Sequence, residues 1–310
     1  MGQASCALAM SMRFIPSPSC KRKAGPSGFH WPILFLPNAG GGVPRPISVP
    51  CHFGEWMQGR LGPAGPVALI TLTPAGPRVI ARWRAGVGLA CQSVTHGPMD
   101  PALLARFARA LGGLPPGRTL LRVPYPPGLG TGMSTAGLLG VAAFAGRALA
   151  PLSLARACVA AEGASDPLMF AQPSRLLWAS RQGRVLARLP PQPRAHLLAG
   201  FWGPARPTQA GDLAYADVSD LLERWQAEAP LATRAALASE SAARCVALRG
   251  PSEDPTERLA HDLGALGWMM SHSGAARALI FAPGALPRHG MAALREAGLR
   301  GVHHLATLGE

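Results

Sequence analysis

Apolar positions along the chain fall into short runs broken by glycine and proline, and their spacing alternates between strand-like and helix-like. Ile47 to Phe53, Val67 to Thr73, Arg78 to Trp83 and Gly88 to Val94 have strand length and lie between Gly/Pro turns. A helical spacing follows: Asp100 as N-cap, Pro101 in the first turn, Leu103, Leu104, Phe107 and Leu111 facing inward, and Gly112 as the stop. Thr119 to Val123 predicts a strand, and Ala136 to Leu149 a buried helix that stops at Pro151. Ser153 opens a further helix that runs out at Glu162-Gly163, and Ser174 to Leu189 predicts a hairpin turning at Gln182-Gly183.

The Pro-rich stretch 190–193 reads as a domain boundary. After it come a buried strand (His196 to Trp202), helical segments between Asp217 and Leu248, and a helix opened by Asp254-Pro-Thr-Glu257. A strand from Ala276 to Phe281, a helix near Met291 to Ala297 and a last strand complete the pattern. Strand–helix alternation in packed layers predicts an α+β fold, with domains at 47–193 and 194–310. Residues 1–46 are rich in Pro, Gly and Ser, and the expectation there is a disordered N-terminal extension.

Composition narrows the chemistry by exclusion. The formal charge is +14; residues 1–46 carry five basic and no acidic side chains, which leaves +9 on the body. That excess is arginine scattered among acids, with no basic helical stripe and few aromatics, so no nucleic acid is expected as a partner. Six cysteines without paired spacing fit reduced, buried thiols, and nine histidines without chelating spacing assign no structural metal. Trp31 to Leu36 is too short an apolar run to span a membrane, and the basic residues are on the wrong side for a signal peptide. The expectation is a cytoplasmic protein with no membrane partner.

One stretch carries most of the candidate chemistry: Pro126-Pro-Gly128-Leu-Gly130-Thr-Gly132-Met-Ser134-Thr135-Ala136, set between a predicted strand and a predicted helix. Three alternate glycines let backbone amides turn toward a ligand, and Ser134 and Thr135 stand at a helix N-terminus, where anions are attracted. This is a phosphate cradle. It is not a dinucleotide fingerprint, because Met133 stands at the third glycine position and no carboxylate occurs before Glu162. The only lysines are Lys21 and Lys23, which excludes Walker-type, protein-kinase and Schiff-base chemistry in the body.

The spacing P-x-G-x-G-x-G-x-S-x-A resembles the ATP loop of the GHMP kinases (galactokinase, homoserine kinase, mevalonate kinase and relatives). Pro50-Cys-His-Phe-Gly54-Glu55-Trp-Met-Gln58-Gly59 resembles the family's N-terminal motif, and Ser271-His-Ser273-Gly274-Ala275 its C-terminal loop. G-E-x-x-Q-G and the S-T-A ending look most like the L-threonine kinase branch of cobalamin synthesis. The resemblance implies a ribosomal-protein-S5-like N-terminal domain, a ferredoxin-like C-terminal domain, and use of ATP and Mg²⁺. Pro127, Gly128, Leu129, Gly130, Thr131, Gly132, Met133, Ser134 and Thr135 would then hold the phosphates, with Ser134 and Glu162 on Mg²⁺ and Asp166 facing the acceptor hydroxyl. Met133 replaces the first of two family serines, and the lysine that some members pair with the aspartate is missing, so an arginine must substitute or positioning must suffice.

Glu55 and Gln58, read as projecting from one turn after a strand, suit the ammonium and hydroxyl of an amino acid. Ser273 and Gly274 are candidates for its carboxylate or for the transferring phosphoryl, whereas His52 and His272 read as structural. The implied partners are ATP and a small hydroxylated amino acid, bound by a monomer or homodimer. Three other readings stay open. They are a homoserine-type acceptor, a nucleotide-binding regulator without catalysis, and a serine hydrolase built on Gly132-Met-Ser134-Thr-Ala136 with His196 or His272 in reach.

Overall fold

The computed structural model describes residues 44–206, 209–225, 229–251, 253–271 and 274–309. The expected extension over 1–46 therefore lies almost wholly outside the described residues. In the first half, β1 (Ile47–Pro50), β2 (Glu55–Arg60), β3 (Val67–Thr71), β4 (Pro74–Ala75), β5 (Arg78–Ala85), β6 (Leu89–Ser93) and β7 (Gly97–Pro98) precede α1 (Pro101–Ala110). Then come β8 (Gly117–Arg122), α2 (Met133–Ala142), α3 (Pro151–Glu162) and the hairpin β9 (Leu176–Ala179) and β10 (Arg184–Arg188). The second half holds β11 (His196–Phe201), α4 (Ser219–Arg224), α5 (Leu231–Arg249), α6 (Thr256–Asp262), β12 (Gly267–Met270), β13 (Ala276–Phe281), α7 (Gly290–Glu296) and β14 (Arg300–Thr307).

The strands form sheets of order β1-β5-β8-β6-β7, β10-β9-β3-β2 and β12-β13-β11-β14-β4. In chain order β11, α5, β12, β13, α7 and β14 spell β-α-β-β-α-β, and their sheet order is that of a ferredoxin-like domain. The α+β expectation holds, as does the ferredoxin-like C-terminal half. The third sheet is apolar on both faces. Ala276, Ala278 and Ile280 of β13 pack into a core with Phe53, Trp56 and Met57, while Leu279 and Phe281 face Leu259 and Leu294 behind the sheet. A strand buried on both sides reads as a nearly continuous apolar run, which is why Ala276 to Phe281 was legible; its one charge, Arg277, is buried against Asp254. A separate core gathers Val79, Ala81 and Leu121 of the first sheet with Phe107, Leu139 and Leu154 of the helices.

Local chemistry sets the helix ends near the expected places. The Asp100 side chain accepts from the Ala102 amide at 2.9 Å and caps α1, and Asp254 does the same for Thr256 at 3.0 Å before α6. The predicted buried helix stops at Ala142, short of Leu149, and α3 begins at Pro151 rather than Ser153, because proline fits the first helical turn. Cys51, Cys91, Cys158 and Cys245 are free and buried, as expected. Among the described residues no helix is long and apolar enough to cross a membrane.

Candidate functional site

β8 delivers the chain into the glycine loop, whose Gly128, Gly130 and Gly132 all take left-handed φ values of 82°, 78° and 69°. A side chain at these angles is strained, so glycine is required. The loop's carbonyls are spent on its neighbours: Gly128 O accepts from the Arg206 amide at 2.9 Å, Leu129 O from Ala276 at 2.9 Å and Gly130 O from Gly54 at 3.1 Å. Gly132 stands as N-cap of α2 without a capping side chain, so the first amides of the helix have no side-chain acceptor from the cap. The Leu129 side chain is buried in the core, so only its backbone serves the loop. A Cβ on Gly130 would come within 2.0 Å of Ser271 Oγ, and one on Gly274 within 2.3 Å of the Gly130 amide nitrogen. Gly274 thus packs backbone to backbone beneath the loop and does not line the main cleft, which is reached instead by Ser271. Ser273 and His272 lie outside the described residues.

The cleft above this loop is open to solvent, with a cavity volume of about 90 Å³. Gly128, Gly130, Thr131, Gly132, Met133, Ser134 and Thr135 line one wall, and Glu162 and Asp166 the next. Ser134 Oγ donates to the Glu162 carboxylate, and Thr135 Oγ1 donates to its other oxygen at 3.4 Å. Thr135 Oγ1 also accepts the Asp166 amide at 3.2 Å, so one helical turn orients both acids. Burial pushes Glu162 up to about 7, against the pull of the Ser134 hydrogen bond. Pro127 and Met133 also line a second, mainly apolar cavity with Cys91, Leu103, Leu121 and Val123 on the outer side of the loop.

His52, set aside in the sequence as structural, is only 2% exposed and stands at the floor of the cleft. Its Nε2 lies 3.2 Å from Asp166 Oδ2, and its Nδ1 lies 3.2 Å from Gly54 O and 3.8 Å from Glu55 Oε1. Burial opposes a charge on the ring, but Asp166 and then Glu55 outweigh it and raise His52 to about 9. Burial likewise works against Asp166, yet His52 and Arg181 hold its carboxyl below the ordinary range. Glu55 is driven by burial to about 8.

Glu55 and Gln58 do not sit on a turn. They belong to β2, and a β-bulge between Glu55 and Met57 shifts the register against β3. Residues three apart on a regular strand point to opposite faces, and the extra residue of the bulge brings both onto the cleft. Ser241 of α5 accepts from the Gln58 amide at 3.1 Å and so completes this edge strand. Arg181, on the β9–β10 turn, and Tyr215 also reach the cleft. Nothing in their local sequence sets them apart from turn and loop residues.

Ser134 is bonded to an acid, and no histidine among the described residues contacts it, whereas His196 packs against His304 at 4.9 Å on the third sheet. The hydrolase arrangement with His196 is therefore not assembled, and His272 lies outside the described residues. Among the described residues no group of three or more His, Cys, Asp or Glu side chains could hold a metal by itself. Ser134 Oγ and the Glu162 carboxylate are hard oxygen donors of the kind Mg²⁺ takes beside phosphate oxygens and water, so this pair fits that ion.

No family model matches the chain, and no curated protein matches it. Solved structures do. The chain is similar to a phosphotransferase related to the CoA biosynthesis pathway, with a TM-score of 0.62 at 17% identity over 86% of this chain and 97% of that one. It is similar to the mevalonate kinase of Methanococcus jannaschii, with a TM-score of 0.60 at 9% identity over 87% and 99%. Homoserine kinase from Cytophaga hutchinsonii matches with a TM-score of 0.50 at 14% identity over 87% and 96%. At such identities the likeness establishes the fold, which is that of the GHMP kinase structures.

Proposed function

We propose that the protein is an ATP-dependent phosphotransferase that phosphorylates the hydroxyl of a small amino acid, L-threonine being the preferred acceptor. The observation that carries this is the meeting, in one cleft, of the glycine loop that ends at the N-terminus of α2, the Ser134–Glu162 oxygen pair and the His52–Asp166 ion pair. The similar solved structures are of kinases and a phosphotransferase, which supports the class. The choice of L-threonine rests on the resemblance of Gly54-Glu55-Trp-Met-Gln58-Gly59 and Ser134-Thr135-Ala136 to that branch.

Each residue has a part in this reading. The amides of residues 128–135 and the N-terminus of α2 hold the triphosphate, and the apolar cavity beside Pro127 and Met133 takes the purine. Ser134 and Glu162 would hold Mg²⁺, which when bound neutralises phosphate charge. The acceptor hydroxyl faces Asp166. Its oxygen bonds to the γ-phosphorus as the bond to the β–γ bridging oxygen breaks, ADP leaves, and the hydroxyl proton passes to Asp166. A carboxylate held well ionised is a weak base, so it aligns the hydroxyl first and takes the proton late, as suits a loose transition state. His52 takes the place of the missing lysine by fixing Asp166 in its ionised form.

Purified protein with MgATP, assayed for ADP release against L-threonine, homoserine, serine and mevalonate, tests the reading. L-Threonine should give the highest kcat/KM and yield O-phospho-L-threonine. Preference for homoserine would move the acceptor. Tight ATP binding with no turnover on any of them would leave only the regulator.

A further inference from the structure

The cleft contains a cation, Arg181, that forms no direct ion pair with a carboxylate of the described residues. Arg181 lines it close enough to Asp166 to bear on that acid's charge. One corner of the guanidinium is fixed, because Nη2 donates to Tyr215 Oη at 3.3 Å and to Asp212 O at 3.4 Å. Its Nε and Nη1 are buried and have no partner among the described residues. The acids nearby are already taken. The Asp212 carboxylate receives both prongs of Arg249, at 3.0 and 2.6 Å, and Asp166 is paired with His52 at 3.2 Å. Across the same cleft Glu55 Oε2 is likewise buried without a partner among the described residues. Buried donors and acceptors left unmade are costly, and a guanidinium fork matches a carboxylate in shape and charge.

We propose that Arg181 binds the carboxylate of the acceptor, so that an α-amino acid is gripped at both ends, by Arg181 and by Glu55, with its hydroxyl left to Asp166. This rests on the phosphotransferase reading above and adds to it a residue that decides between acceptors. It also moves the carboxylate site from the Ser273-Gly274 loop to the β9–β10 turn. A phosphoryl oxygen would suit the same fork, and the glycine-loop amides already serve that group.

The test compares L-threonine with 1-amino-2-propanol, the same skeleton without the carboxylate, by calorimetry on the full chain in the presence of Mg²⁺ and a non-hydrolysable ATP analogue. The wild type should bind L-threonine about 10²-fold more tightly or better, since two charge-assisted hydrogen bonds are at stake. Arg181→Met should bring the two compounds within a few-fold of each other while the analogue's own affinity holds. Arg181→Lys keeps the charge without the fork and should retain part of the preference. Equal binding of both compounds by the wild type overturns the proposal. So does an Arg181→Met protein that loses the ATP analogue but keeps the preference, which would assign Arg181 to the phosphoryl group. If the Met variant does not fold, an undiminished preference in the Lys variant overturns it instead. ADP release is scored separately. Selective threonine binding that depends on Arg181, without phosphoryl transfer, would sink the kinase reading and support the carboxylate site.

Discussion

At the scale of residues, the site is a balance of charges placed where water is scarce. Asp166→Asn keeps the shape and the amide contact with Thr135 but removes the charge that answers His52. Turnover should fall by ~10²–10⁴-fold while ATP affinity stays within a few-fold, measured by single-turnover kinetics beside nucleotide titration. A second prediction concerns pH. His52 is raised from 6.5 to about 9 and Glu55 from 4.5 to about 8, so folding favours the protonated form of each. The stability His52 adds is complete below pH 6.5 and lost as the pH rises through 9, and that of Glu55 is complete below 4.5 and lost through 8. Asp166, being lowered, works the other way and loses its contribution only as the pH falls below 3.8. Thermal melts should therefore show a maximum at mildly acidic pH and a decline toward pH 9. Glu55→Gln should flatten that decline, and an unchanged slope would remove Glu55 from the account. Ser134 was named by the spacing of the glycine loop, and Asp166 and Glu162 only through the resemblance to the GHMP kinases; the structure gathers all three in one cleft. His52 and Arg181 were not legible, since a histidine beside a glycine and an arginine in a hairpin turn acquire meaning only from what the fold sets opposite them.

At the scale of elements, the glycine loop is a packing surface as much as a ligand cradle. A Cβ on Gly132 would meet His52 Cδ2 at 2.4 Å, and the residue's φ of 69° already disfavours a side chain. Gly132→Ala should cost about 1–3 kcal/mol, read as a lowered Tm. It should also displace His52, so turnover should fall further than nucleotide affinity. Retained Tm and activity would mean the loop relaxes freely. Strand-like and helix-like runs were readable here because propensity and burial agree within them. β2 was missed for a physical reason. Glu55-Trp-Met-Gln58-Gly59 is buried throughout, mixes polar cleft residues with apolar core residues, and is bulged, so no period of two survives in its sequence. The limit of α2 was misjudged because Ala143-Phe144-Ala145 stays apolar past the helix end, and the break that Gly146 makes with its φ of 70° was passed over.

At the scale of the molecule, the Pro-rich stretch 190–193 does run between β10 and β11, yet the halves it joins share a core. Phe53, Trp56 and Ile70 from before it pack with Leu197, Leu237 and Met269 from after it. Such long-range pairing leaves no trace in local periodicity, which is why the sequence suggests more independence than the fold has. Denaturant melts followed by Trp fluorescence and by far-UV dichroism should coincide in one transition, and two separated midpoints would contradict the shared core. Residues 1–46 are rich in Pro, Gly and Ser, so a chain starting at Pro46 should keep its Tm and its ATP affinity. The third sheet has a further consequence, for synthesis. Its order places β14 between β11 and β4, so Ala75 is paired with Ala306, made long after it. While the ribosome is still extending the chain, β11 has a bare edge and β4 has nothing to join. A nascent chain must keep that edge from other strands until residues 300–307 emerge, so slowing translation of the stretch before them is expected to lower the yield of soluble protein.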